Sequence, residues 1–206
     1  MLLIVKDLSV SRAGRLLMSG LSFDLSAGNT LLLKGPNGLG KTSLLRTLAG
    51  LQPSAEGQII LQSDTAVYAG HADGLKAGLT VIENLRFWAD IFASCKRLEE
   101  ALTQFDLLGL THRLAGRLSA GQKRRLGLAR LILSNKPLWL LDEPTVSLDE
   151  ISRNAFYKAL ALHCTLGGGA VIVSHLPLNV EGSLKSMDLS PYAAKGVVTS
   201  EVNAFL

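Results

Sequence analysis

What the sequence lacks narrows it first. Hydrophobic residues make up 48% of the 206 and the mean hydropathy is +0.29. Yet no stretch approaches the ~18 uninterrupted apolar residues that a membrane-spanning helix needs. The longest apolar runs, such as Leu138–Leu141, are of strand length and flanked by charge or proline. The opening Met1–Asp7 is too short for the core of a signal peptide and has no basic lead, so the chain is expected to stay in the compartment where it is made. Cysteine is scarce: Cys95 and Cys164 show no metal-ligand spacing, fit a reducing interior, and are each expected to be buried, inert thiols. Charge of one sign is weak too. A net charge of +4 suits anionic ligands or a lipid surface but is too mild to argue for nucleic acid. Repeats, low-complexity tracts and linkers are also missing.

What is present begins with strands. Leu2–Ser9 and Leu16–Leu25 alternate around a turn at Arg12-Ala13-Gly14-Arg15, and Asn29–Lys34 is an apolar run closing on glycines. A helix is expected from Lys41 to Ala49, with Gly50 as its C-terminal cap, then strands at Gln58–Leu61 and Thr65–Tyr68. The middle turns helical. Thr80-Val81-Ile82-Glu83 is a capping box opening a helix to about Phe92, and Ser119-Ala120-Gly121-Gln122 is a second, opening one to about Leu133. Between them Leu98, Ala101, Leu102 and Phe105 form one apolar stripe. The strand Leu138–Leu141, a helix from about Glu150 to His163, the strand Ala170–Val173 and a short tail complete the reading. The fold expected is α/β: a mainly parallel sheet core, an antiparallel β layer and a helical subdomain over about 80–134, all within one domain spanning 1–206.

Gly35-Pro36-Asn37-Gly38-Leu39-Gly40-Lys41-Thr42 fits G-x-x-x-x-G-K-[ST] and lies where that pattern must lie, after a strand and opening a helix. Its glycines let the backbone wrap so that N–H groups face phosphate oxygens. The helix start, continued by Ser43, adds the positive end of a dipole. Lys41 would reach the β- and γ-phosphates of ATP, and the Thr42 hydroxyl would ligate Mg²⁺. Leu138-Trp139-Leu140-Leu141-Asp142-Glu143 is an apolar strand ending in two acids. Asp142 is placed for Mg²⁺, and Glu143 to orient or deprotonate the attacking water.

These motifs describe phosphate-loop ATPases at large. Leu118-Ser119-Ala120-Gly121-Gln122 narrows the field, for it resembles the signature of ABC ATPases, which usually has a second glycine at the place of Ala120. Glu143–Asp149 resembles the D-loop of that family, and Ser174-His175 its switch histidine. The resemblance covers nearly the whole chain. It implies a P-loop NTPase fold of the ABC type, a homodimer in which Ser119, Ala120, Gly121 and Gln122 serve the partner's ATP, a His175 that contacts the γ-phosphate, and integral membrane transporter subunits as further partners. His112 and His163 have no such setting and read as surface or satisfied residues.

Two positions depart from the family pattern. The aromatic that stacks on adenine falls at about Arg12, where a stacking guanidinium and an ordinary turn arginine both stay open. The glutamine that touches Mg²⁺ and couples to the membrane partner is replaced by His71, a further metal candidate. Gly70-His71-x-Asp73-Gly74-Leu75-Lys76, Leu79-Thr80-x-x-Glu83-Asn84-Leu85 and Ser19-Gly20-Leu21-Ser22-Phe23 resemble the ATP-binding subunit of the cytochrome c maturation haem exporter. That likeness implies haem export or delivery and a peripheral place on the cytoplasmic face of the inner membrane. An ABC ATPase serving another small molecule is the alternative. A role on ribosomes or DNA is disfavoured, since one cassette without a coiled-coil insertion does not match those relatives. Lys123-Arg124-Arg125 and Arg130 ride on the signature helix and are expected to face phosphate or solvent.

Overall fold

The computed structural model describes residues 1–62, 64–180 and 182–194. In chain order the elements are β1 (Leu3–Arg12), β2 (Arg15–Leu25), β3 (Asn29–Lys34), α1 (Lys41–Leu48), β4 (Glu56–Ile60), β5 (Ala66–Ala69), α2 (Val81–Ile91), α3 (Leu98–Gln104), α4 (Ala120–Ser134), β6 (Leu138–Asp142), α5 (Glu150–Thr165), β7 (Gly169–Val173) and β8 (Ser183–Asp188). The strands form an antiparallel layer, β2-β1-β4, and a five-stranded sheet in the order β5-β6-β7-β3-β8. Every pairing in the second sheet is parallel.

A parallel strand covered on both faces needs apolar side chains on both, which is why β6 and β7 read as unbroken runs and are buried from end to end. Their two-residue period distributes them. Leu138, Leu140, Val171 and Val173 join β1, β2, β3 and α1 in one cluster, whereas Trp139, Leu141, Ala170 and Ile172 join α2–α5 in the other. Both capping boxes close as their sequences require: Thr80 Oγ1 accepts from the Glu83 N–H at 3.3 Å and Ser119 Oγ from the Gln122 N–H at 3.2 Å, with each return bond made. At the end of α1, Gly50 takes a φ of 70° one position beyond the cap residue Ala49. There the Gly50 N–H reaches Thr47 O and the Leu51 N–H reaches Arg46 O, a Schellman closure that a Cβ would oppose.

Three expectations need correction. The tail contains β8, which pairs with β3 along Asn29↔Ser183 to Lys34↔Asp188. Its side chains are mostly exposed, so no alternation marks it, and the backbone ladder holds it with little more than Met187 packed on the core. The rest of the tail, 195–206, lies outside the described residues. Cys95 is exposed, its thiol donating to Asp90 Oδ1 at 3.3 Å, and only Cys164 is half-buried. Arg124 and Arg125, finally, point inward and are 6% and 8% exposed.

His163 is a satisfied histidine, stacked on Trp139 at 3.9 Å with Nε2 3.1 Å from Pro137 O. Burial pushes its imidazole down from the ordinary 6.5 to about 4. As pH falls, the unfolded chain therefore takes up this proton before the folded one. Stability is intact above pH 6.5 and declines toward pH 4, by about 3 kcal/mol for this group. His163→Phe keeps a ring on Trp139 without the proton. Urea midpoints measured from pH 7 to pH 4.5 should fall less steeply for the variant; equal slopes would remove His163 as a source of acid sensitivity.

Candidate nucleotide site

The site is built where β3 and β6 end. The chain leaves β3 through Gly35–Gly40 and turns into α1, whose N-cap, Gly40, supplies no side-chain bond. The first N–H groups of α1 are thus left for an anion. Gly40 has a φ of 105°, and a Cβ there would lie 2.7 Å from Leu17 Cδ1. The loop therefore lies tight against β2. Lys41 is 7% exposed, and its ammonium donates to Gly35 O at 2.7 Å and Pro36 O at 2.8 Å. Burial lowers its pKa, while the charges of Glu143 and Asp142 work the other way and favour the ammonium.

The end of β6 faces this loop. Asp142, 1% exposed, accepts at Oδ2 from Thr42 Oγ1 at 2.7 Å and from the Tyr68 hydroxyl at 3.4 Å, and His71 Nε2 lies 3.7 Å from the same oxygen. A hydroxyl and a carboxylate in contact form a hard-oxygen set of the kind Mg²⁺ takes. Among the described residues no group of three or more His, Cys, Asp or Glu could hold a metal ion by itself. Glu143 follows with a φ of 51° and is 6% exposed. Its carboxylate accepts from the His175 backbone N–H at 3.1 and 3.4 Å, and His175 Nε2 stands 3.6 Å from Oε1.

A cavity of about 760 Å³ joins these groups; Lys41, Thr42, His71, Asp142, Glu143 and His175 all line it. That volume suits a nucleotide-sized ligand. Arg12 and Leu17 also border it, which puts the exposed Arg12 beside the phosphate loop. Ser119 does not line this cavity. It sits exposed at the start of α4, and Ala120 borders a neighbouring hollow with His71 and Glu143. The phosphate loop, both acids and both histidines thus come together, and the signature residue Ser119 stands apart. Sequence reasoning missed Tyr68 and Arg124. A tyrosine near a strand end carries no motif, and Arg124 was hidden among charges that looked solvated.

The sequence profile of the ABC transporter family matches residues 18–146. The chain is 51% identical over 194 residues to the cytochrome c biogenesis ATP-binding export protein CcmA of Rhodobacter capsulatus, covering 94% of this chain and 90% of that relative. Against the protein of the same name in Paracoccus denitrificans the identity is 52% over 193 residues, covering 94% and 91%. Among solved structures, an ABC transporter ATP-binding protein from Pyrococcus furiosus superposes with a TM-score of 0.82 at 25% identity, covering 93% of this chain and 99% of that one.

Proposed function

Since the chain belongs to the ABC transporter family and, within it, to the CcmA cytochrome c biogenesis export ATPases, we propose that its ATP cycle drives haem delivery for the assembly of c-type cytochromes. The chain is the ATP-binding, ATP-hydrolysing subunit of an ABC transporter, with the P-loop NTPase fold. We read 1–206 as one ATPase domain, with about 80–134 as its helical lobe.

The observation that carries the mechanism is the convergence of the phosphate loop, Asp142, Glu143 and His175 on one cavity. Residues Gly35–Ser43 would wrap the phosphates with backbone N–H groups, and Lys41 would exchange its two carbonyl partners for β- and γ-oxygens. Thr42 and Asp142 would hold Mg²⁺, with His71 beside them, and the ion would supply charge neutralisation at the phosphate oxygens. Glu143, its carboxylate aimed by the His175 N–H, would orient the attacking water and take its proton. The His175 ring would reach the γ-phosphate. Ser119, Ala120, Gly121 and Gln122 would complete the site of a second copy, so that hydrolysis belongs to a homodimer.

Attachment to membrane subunits is read from α2. Trp88 and Phe92 stack at 5.9 Å and pack on the helical cluster. Phe87 remains 41% exposed and Ile91 56%. Lys76 Nζ rests 4.5 Å over the Phe87 ring. An aromatic held rigid at the surface is the type of anchor that dominates interfaces. No helix among the described residues is long and apolar enough to cross a membrane. The protein would then sit peripherally on the cytoplasmic face of the inner membrane, held by subunits of a cytochrome c maturation complex. Deleting the gene should abolish holocytochrome c while sparing b-type cytochromes, and Lys41→Ala should fail to complement. Normal holocytochrome c in the deletion strain, with no second copy of the gene, would remove the haem reading and leave the ATPase standing.

A further inference from the structure

The signature helix carries a second group, one that faces inward. Arg124, in the second turn of α4, is 6% exposed, and its guanidinium is bonded on both sides. Nη1 donates to Gly70 O at 2.9 Å and to Asp73 Oδ1 at 2.8 Å, which lie on the loop that bears His71. Nη2 donates to Asp142 O at 3.3 Å and Glu143 O at 2.8 Å, and Nε donates to Pro144 O at 3.3 Å. One planar fork thus holds three nucleotide-facing segments together: the His71 loop, the acidic turn and the signature helix.

The geometry at the acidic turn is unusual. Successive carbonyls of an extended strand point to opposite sides, so three in a row do not ordinarily meet one donor group. Here they do, because Glu143 takes a left-handed backbone at φ 51°, a conformation that its Cβ disfavours. The turn is also held by the Val146 N–H on Glu143 O at 3.3 Å, by the Glu143 N–H on Val173 O at 2.9 Å and by the His175 N–H on the Glu143 carboxylate at 3.1 Å, but the three successive carbonyls of residues 142–144 converge on the buried cation. On the other side, Asp73 lies directly across α4. A Cβ on Gly127, one turn after Arg124, would stand 2.7 Å from Asp73 Cβ. Loop and helix are therefore in contact as well as bonded.

We propose that Arg124 is a positioning residue for hydrolysis. It fixes the kinked backbone that aims the Glu143 carboxylate, and it ties that aim to the Gly70–Asp73 loop, so that displacement of the loop is felt where water attacks. Arg124 lines no part of the phosphate cavity, and its effect passes through Glu143. The inference rests on the reading of Glu143 as the group that orients water.

The test compares the transporter complex purified from membranes, carrying the parent chain, Arg124→Gln, Arg124→Lys, Gly127→Ala or Lys41→Ala. Arg124→Gln should lower kcat on the order of 10²-fold, the cost of a misplacement of about 1 Å. The KM for ATP should stay within about twofold, since the phosphate loop is untouched. Arg124→Lys keeps the buried charge without the planar fork and should recover only part of the rate. Gly127→Ala leaves the arginine in place but pushes Asp73 away, and should lower kcat in the same direction. An arginine that merely held the core together would lower the melting temperature and the amount of active protein, and leave kcat per bound nucleotide at the parent value. Parent kcat at saturating ATP in both Arg124→Lys and Gly127→Ala would overturn the proposal, even if Arg124→Gln did not fold. Lys41→Ala keeps the two failures apart. Hydrolysis at the parent rate there would remove the ATPase site itself, whereas parent rates in the other variants alone would remove only the link.

Discussion

Glu143→Gln is expected to bind ATP about as well as the parent and to hydrolyse it roughly 10²–10⁴-fold more slowly, the usual worth of a positioned acid–base group. The amide is nearly the shape of the carboxylate. Its oxygen can still accept from the His175 N–H that now meets Glu143 at 3.1 Å, so the turn and its φ of 51° should survive. What disappears is the negative charge and the ability to take a proton. Lys41 would lose the stronger of the two charges that oppose the effect of its burial, yet its bonds to Gly35 O and Pro36 O do not involve Glu143, and the phosphate loop should still hold the nucleotide. Single-turnover hydrolysis of labelled ATP, set beside equilibrium binding of the same nucleotide, separates the two effects. Turnover at the parent rate would show that Glu143 does not act on the water.

Ser119→Arg is expected to abolish hydrolysis by a different route, and pairing it with Lys41→Ala to bring activity back. Ser119 is exposed at the tip of α4 and does not line the cavity of its own phosphate loop. An arginine there adds bulk and charge at a position outside that cavity and leaves the Lys41 cradle of the same copy unaltered. Lys41→Ala damages only its own cradle. In a heterodimer of the two, one site combines an intact phosphate loop with an intact signature from the other copy. Mixing differently tagged chains and isolating the mixed pair should recover about one competent site per heterodimer, where either homodimer has none. Mixed pairs that form but stay inactive would rule out assembly across the two copies.

The site was legible to the degree that its chemistry demands particular residues at particular spacings. A phosphate loop needs its glycines and lysine in order, and two acids at the end of an apolar strand have few other uses. The capping boxes were legible for the same reason, since Thr80 with Glu83 and Ser119 with Gln122 satisfy each other locally. What stayed hidden is held by long-range bonds of ordinary residues. β8 is fixed by its ladder with β3 and buries little, so no hydrophobic period could mark it. Arg124 reads as one more surface charge until β6 and the loop after β5 are folded around it. The Tyr68 hydroxyl meets Asp142 only through the register that sets Tyr68 opposite Leu140.

The alternation of β6 between two filled clusters also bears on how accurately the acids stand. Leu138 and Leu140 face one cluster, Trp139 and Leu141 the other, and both are closed by side chains from several elements. A slip of one residue would send a tryptophan into a space shaped for leucine and a leucine into one shaped for tryptophan. The strand is thus indexed like a ratchet with a single seated tooth. The point at which Asp142 and Glu143 leave the strand toward the phosphate loop is thus set by the fit of an indole ring packed beneath the sheet, before Arg124 fixes the turn that follows. A change in the size of residue 139 would then have to be matched by changes in the helices that enclose it, even though none of those helices lines the phosphate cavity.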